Sequence, residues 1–218
     1  PLIGNALFWV RPMESFPNQV GMLVMWSYMV LTIDKQGAAK SEIETAIRTF
    51  FDSHDLVSSY VLACAGAEIA ASVAKHRGRE TMAASLARHI VGSQVGTVQR
   101  LVNDPYNFLK HADRDPEGEM QNFDPRSVEF KLFFAEEDYA IAFGERTPVM
   151  MAFRVWFDCR YPEFLINPSP KHAQASQLLE SPAGKPARET LPAMRRLIAL
   201  LDENPSEFGA LTGSWRIS

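Results

Sequence analysis

The chain has 218 residues, of which 46% are hydrophobic, and its 22 Lys and Arg against 26 Asp and Glu give a formal net charge of −4. This length suffices for one domain with a core of ordinary size, with or without appended segments. The acidic balance excludes a protein whose whole surface binds polyanions, since phosphate binding requires clustered Lys and Arg, but it leaves room for a local basic patch.

The first 33 residues are almost uncharged, with only Arg11 and Glu14. Their apolar run Val20–Ile33 is shorter than the roughly 18 to 20 residues that a helix needs to cross a bilayer. Its aromatic and β-branched content fits a buried strand or a core helix, and it lacks the basic region of a secretory leader. We therefore expect residues 1–40 to form an apolar extension that packs on the core or against a second copy, without membrane contact.

Helix signals recur from residue 41 onward. A capping-box pattern at Ser41 to Glu44 predicts a helix start, and so does each pair of a polar residue and proline, at Asp104–Pro105, Asp124–Pro125 and Thr147–Pro148. The predicted helical segments are, in chain order, Ser41 to Ser53, Asp55 to His76, Glu80 to Leu101, Tyr106 to Ala112, Pro125 to Phe143, Val149 to Phe157, His172 to Leu179 and Arg188 to Asp202.

The segments between these helices carry turn signals. Gly78 and Gly144 predict helix ends, and the polar stretch Asp113 to Gln121 predicts a loop. No strand is predicted after residue 33. The sequence thus predicts an all-α helical bundle over residues 41–160, preceded by the apolar N-terminal extension 1–40 and followed by a C-terminal helical arm, 161–218.

Cysteine and histidine spacing gives no sign of a metal site. Cys64 and Cys159 lie far apart in the sequence, and the histidines form no HExxH pattern. Cys64 stands in an apolar run, where we expect a buried, inert thiol. We therefore expect no metal, no cofactor and no disulfide, and a reducing, cytoplasmic location.

One segment, residues 106–111, combines residues that can carry chemistry. Asn107, Lys110 and His111 fall at i, i+3 and i+4, which predicts one shared helix face. The ammonium disfavours a protonated imidazole, so His111 is suited to act as a base, and such a face can bind a phosphodiester. The alternative is structural: His111 satisfies helix-end carbonyls, and Asp113 and Arg114 form a solvated charge cluster.

The sequence Tyr-Asn-Phe-Leu-Lys-His at 106–111, with Phe-Asp-Pro at 123–125 after an acidic loop, resembles the HEPN-like superfamily of helical bundles. It is most similar to uncharacterised bacterial members with an Arg-Asn-x-x-Lys-His pattern. The helix around Ala65–Ile69 is similar to their first core helix. The resemblance covers residues 41–158 and implies an all-α bundle.

In the nuclease members of that superfamily, an Arg and a His cleave RNA without a metal, usually across a homodimer interface. The resemblance aligns His111 with that His, Asn107 with the residue after the Arg, and Lys110 with the Lys before the His. The Arg position holds Tyr106, which lacks the permanent charge and forked donors of a guanidinium. Arg100 or Arg114 can replace that charge only where the fold returns one of them toward His111.

Glu68 is predicted to be a partner of this segment. It stands among alanines on a helix that we expect to be buried, where a lone carboxylate must be paired. Pairing with Lys110 or His111 is expected, as a structural lock rather than as a general acid.

Three functions follow from these patterns. The first is a non-catalytic, dimeric module that binds RNA, a nucleotide or a partner protein. The second is a metal-independent ribonuclease, a toxin or defence component, with His111 as the base and Lys110 or Arg114 stabilising the phosphate. The third is an interaction protein that uses its apolar N-terminal segment. The expected ligand-binding residues of the first function are Tyr106, Asn107, Lys110, His111, Arg114 and Glu68.

Overall fold

A computed structural model of the chain describes residues 32–89, 95–111, 113–121, 123–164 and 175–203. Within these ranges the chain contains helices and turns and no strand, which confirms the predicted all-α fold. The helices are α1 Lys35–Asp52, α2 Leu56–His76, α3 Met82–His89, α4 Val95–Lys110, α5 Pro125–Phe143, α6 Pro148–Arg160 and α7 Ala187–Glu203, with a 3₁₀ turn at Pro162–Phe164.

Some predictions concern residues beyond these ranges. Residues 1–31, which include most of the predicted apolar extension, lie outside the described residues, and its packing stays a prediction. The helix predicted near His172 to Leu179 is described only from residue 175, and residues 175–178 are helical. The predicted division into extension, bundle and arm also stays a prediction.

Polar N-caps start α2, α5 and α6 as predicted. Asp55, Asp124 and Thr147 each accept a backbone N–H from the first turn of the helix that follows. Such side chains satisfy donors that have no partner within the helix. At the other end of α5, Gly144 has φ +80°, the left-handed conformation that glycine adopts without strain. These helix boundaries are therefore set by local sequence.

The predicted start of α1 is wrong. The helix begins at Lys35 rather than at Ser41, because Asp34 acts as its N-cap and accepts the Gly37 N–H at 2.6 Å. The capping-box residues Ser41 and Glu44 lie inside the helix. The predicted domain boundary at residue 40 consequently falls within α1.

The region before the acidic loop also differs from the prediction. The sequence predicts a helix over residues 80–101 and a new start at Asp104–Pro105, whereas α4 runs without a break from Val95 through Pro105 to Lys110. Residues 90–94, between α3 and α4, lie outside the described residues. A proline inside a helix removes one N–H donor and disturbs the preceding turn. The helix nevertheless continues here, and the Asp-Pro pair is an interior feature rather than an N-cap.

The core is built around α2, whose most extensive contacts are with α1 and α5. Gly66 permits the approach of α1: a Cβ at this position would lie 2.6 Å from Ile43 Cγ1. α6 and α7 also pack against α1. Phe51 meets the fully buried Trp156 edge to face, with ring centroids 5.2 Å apart, and the Trp156 indole N–H donates to the Thr190 hydroxyl at 2.9 Å. Trp156 is therefore an anchor of the core.

A buried ionic cluster joins α5 to α6, and the sequence analysis did not anticipate it. Arg146 Nε donates to the fully buried Glu136 at 2.6 Å. Arg154 pairs with Glu137 and, at 3.0 Å, with Asp158. Burial raises the pKa of Glu136 above its ordinary value, against the influence of the two guanidinium groups. These charges are mutually satisfied, which favours a structural role.

Candidate functional site

The last turn of α4 presents the three polar side chains singled out in the sequence. Asn107 and Lys110 are exposed, and the His111 side chain is 30% exposed. His111 follows the helix directly, and its backbone N–H still donates to the Asn107 carbonyl at 3.1 Å. All three residues are thus held at one helix end, where solvent can reach them.

Tyr106 differs from its three polar neighbours because it is a packing residue. It is 8% exposed and belongs to the hydrophobic core. Burial raises the pKa of its phenol, and the carboxylate of Glu68 acts in the same direction. Lys110 Nζ lies 5.1 Å from the centre of the Tyr106 ring, a distance suited to a cation–π contact of about 0.5–1 kcal/mol. Tyr106, which the resemblance aligns with the nuclease Arg, is therefore a core residue whose ring packs against the Lys110 ammonium.

The cations at this helix end lack acidic partners. Across the described ranges, neither Lys110 nor Arg114 forms an ion pair with a carboxylate. By contrast, Arg48 pairs with Asp202 at 2.7 Å on another exposed surface. Lys110 and Arg114 are therefore exposed cations that can attract an anion, while Asp113 and Asp115 add negative charge beside Arg114.

A turn brings Arg114 back toward the histidine. The Arg114 backbone N–H donates to the His111 carbonyl at 3.0 Å. His111 Nδ1 lies 3.9 Å from the carboxylate of Asp113, which is highly exposed. We call Asn107, Lys110, His111 and Arg114 the α4-end surface.

The predicted burial of Glu68 is wrong. Its side chain lies on an exposed position of α2, because the alanines that pack inward occupy the other side of the helix. In the part of the chain that the structure describes, Glu68 forms no ion pair with Lys110 or His111. Its negative charge instead contributes to raising the pKa of Tyr106 and the pKa of Glu42. Glu68 therefore lies close enough to Tyr106 to act on its phenol, but in the described residues it forms no ion pair that would hold the α4-end surface in place.

The structure also contains a groove that was not predicted from the sequence. This groove of about 430 Å³ is lined by residues of α2, α4 and α5 and by residues after α6. Lys131, which is 5% exposed, lies on its wall, so we call it the Lys131 groove. The sequence signal was the pair of charged residues Glu129 and Lys131 among the apolar residues of 128–134, where charged side chains are unusual.

Neither cysteine of the chain has the environment of a reactive thiol. Cys64 is fully buried, as predicted, and burial raises the pKa of its thiol to about 11. Burial also raises the pKa of Cys159, to about 12. A thiol reacts as the thiolate, so both side chains are inert near neutral pH.

Helix α2 is the one helix among the described residues that is long and apolar enough to span a membrane by length and composition. It is also the central helix of the hydrophobic core, in contact with α1 and α5. In the described ranges, no group of three or more His, Cys, Asp or Glu is arranged to hold a metal ion.

No known protein family, curated protein or solved structure matches the chain. The HEPN-like assignment accordingly stays a prediction that rests on the residues at 106–111 and 123–125.

Proposed function

We propose that the chain is a HEPN-like, non-catalytic module that binds a phosphate-bearing ligand, RNA or a nucleotide, on the α4-end surface. The observation that supports this proposal is the pair of exposed cations, Lys110 and Arg114, without a carboxylate partner in the described residues. The Asn107 amide adds donors and an acceptor, and the His111 imidazole adds a further hydrogen-bonding group.

Water and salt weaken the electrostatic attraction between this exposed surface and a phosphate. Two unit charges 4 Å apart attract by only about 1 kcal/mol in bulk water, and salt screens them further. A surface with two permanent cations therefore binds single-stranded RNA modestly and with a clear dependence on salt. Specificity would come from hydrogen bonds of Asn107 and His111 to the ligand.

The burial of Tyr106 supports a non-catalytic role. Phosphodiester cleavage requires a cation that stabilises the charge developing on the phosphate. In the aligned nuclease pattern an Arg supplies it, whereas Tyr106 is a core residue here. The helix end can therefore hold a phosphate without the group that the nuclease reaction uses at that position.

Fluorescence anisotropy with a labelled single-stranded oligoribonucleotide tests the proposal. We expect Lys110→Ala to weaken binding several-fold and to lower the slope of log affinity against log salt by about one, since one phosphate contact is lost. Lys40→Ala is the matched control, because Lys40 is an exposed lysine of α1. Equal affinities of wild type and Lys110→Ala would overturn the proposal.

A ribonuclease is the second candidate, and the turn from His111 to Arg114 favours it. This turn holds the Arg114 backbone beside His111, and in this candidate function the Arg114 guanidinium takes the role of the missing Arg. Incubating the pure protein with RNA and EDTA separates the two functions. We expect intact RNA, and cleavage that His111→Ala abolishes would establish the ribonuclease.

We also propose that the chain forms a homodimer and acts in the cytoplasm. Light scattering on the full chain is expected to give twice the monomer mass of 24.4 kDa. A monomer at every concentration would remove the dimer from the proposal while leaving RNA binding open.

A further inference from the structure

The Lys131 groove has the size and lining of a small-molecule site. Its volume of about 430 Å³ falls within the usual range of ligand pockets. The rings of Tyr60, Phe130, Phe134 and Tyr161 line it. These aromatic side chains suit a flat, apolar group such as a bicyclic ring.

Lys131 adds a charge to this lining. Lys131 as a residue is 5% exposed, and its ammonium donates to the amide oxygen of Asn103 at 2.9 Å. No carboxylate of the described residues lies within ion-pair distance of it, and Asp138, on the same helix, accepts the Met82 N–H at 2.7 Å. The Asn103 amide and the Cys64 thiol are neutral hydrogen-bonding partners of this ammonium, and the Asp138 carboxylate acts on it at longer range. A bound anion would complete the surroundings of this buried cation.

The geometry at the groove mouth favours a monoanion over a phosphate. Asp124 occupies the start of α5, where it accepts the Arg126 N–H at 2.9 Å and pairs with the Arg126 guanidinium at 2.7 Å. The helix N-terminus and this arginine are thus already engaged with a carboxylate. Glu163 also lines the groove, and its charge opposes a dianion. A single ammonium remains, which matches one carboxylate.

We propose that the Lys131 groove binds a small planar aromatic carboxylate. The carboxylate accepts from the Lys131 ammonium, and the ring packs against Phe130 and Phe134. None of the groove residues belongs to the α4-end surface, so this site is separate from the proposed RNA site.

Calorimetric titration of the full chain with 2-naphthoate tests the proposal. The neutral 2-naphthalenemethanol has the same ring, and acetate has the carboxylate alone. We expect naphthoate to bind at least about tenfold more tightly than the alcohol, because a hydrogen bond to a charged group is lost with the latter. Acetate is expected not to bind. Equal affinities for naphthoate and the alcohol would overturn the proposal.

Lys131→Met keeps the length of the side chain and removes its charge. This variant is expected to lose about tenfold or more of the affinity for naphthoate while binding the alcohol as before. Lys110→Met is the matched control and should bind naphthoate like the wild type. Unchanged naphthoate binding in a folded Lys131→Met would contradict the site. Where Lys131→Met does not fold, the comparison of naphthoate with the alcohol on the wild type decides. RNA binding by Lys131→Met should be unaffected, which separates this test from that of the proposed function.

Discussion

At the scale of single residues, Asp138 shows how burial changes a carboxyl group. It is 6% exposed and accepts the backbone N–H of Met82, the first residue of α3, at 2.7 Å. A side chain from α5 thus satisfies a donor at the start of another helix, where no partner exists within that helix. Burial raises the pKa of Asp138 to about 6, although the Met82 N–H, Lys131 and Lys75 favour its charged form.

We predict that Asp138→Asn stabilises the protein at pH 7.5 and not at pH 4. The folded-state pKa of about 6 lies above the ordinary value of 3.8, so the folded state binds the proton more tightly. Ionisation therefore costs stability as the pH rises through this window, and the cost is complete above about pH 6. Asparagine keeps the acceptor for Met82 without the charge, and we expect a gain of about 1–3 kcal/mol. Urea unfolding at both pH values measures it. An equal effect at both would contradict the raised pKa.

At the scale of helices, the N-cap decides where a helix begins. Asp34 and Ser41 both fit the sequence pattern of a cap, and the helix begins after the first of them. The upstream cap prevails because nothing between the two residues breaks the helix. Gly37 costs helix propensity, but its N–H is the one that Asp34 accepts. The capping-box pattern of Ser41 and Glu44 therefore does not mark a helix start in this chain.

Two alanine substitutions distinguish these starts. Asp34→Ala is expected to cost about 1 kcal/mol of unfolding free energy, the typical value of an N-cap. Ser41→Ala is expected to be neutral or to stabilise slightly, because alanine has the higher propensity inside a helix and Ser41 is exposed. Chemical denaturation of the two variants gives both numbers. A larger loss for Ser41→Ala would place the helix start where the sequence pattern predicted it.

At the scale of the whole molecule, charges inside the bundle fix how α5 and α6 pack. Glu136 and Glu137 on α5 face Arg154 on α6, and Arg146 in the connection between these helices reaches back to Glu136. Buried ion pairs add little net stability compared with apolar residues, but removing one partner leaves a charge that water cannot reach. The cluster therefore selects one arrangement of the two helices.

We predict that Arg154→Met is strongly destabilising, by about 3–5 kcal/mol, because the buried carboxylates of Glu137 and Asp158 both lose the Arg154 guanidinium, although Glu137 retains Arg146. Arg88→Met is the control. Arg88 pairs with Glu80 at 2.5 Å on an exposed surface, where such pairs contribute less than about 1 kcal/mol. Unfolding in guanidinium chloride measures both variants. Similar losses would show that the α5–α6 cluster is no more important than a surface pair.

The sequence alone determined the helical fold and several helix boundaries, and it singled out the residues of the α4-end surface as a candidate site. N-caps such as Asp55 and Asp124 act on amides within a few residues, so local sequence is sufficient to identify them. Only the tertiary structure decided that Pro105 lies within a helix, that Glu68 faces outward and that Lys131 lines a groove. The physical reason is that burial, ion pairing and cavity shape depend on which helices pack together, and those contacts join residues far apart in the chain.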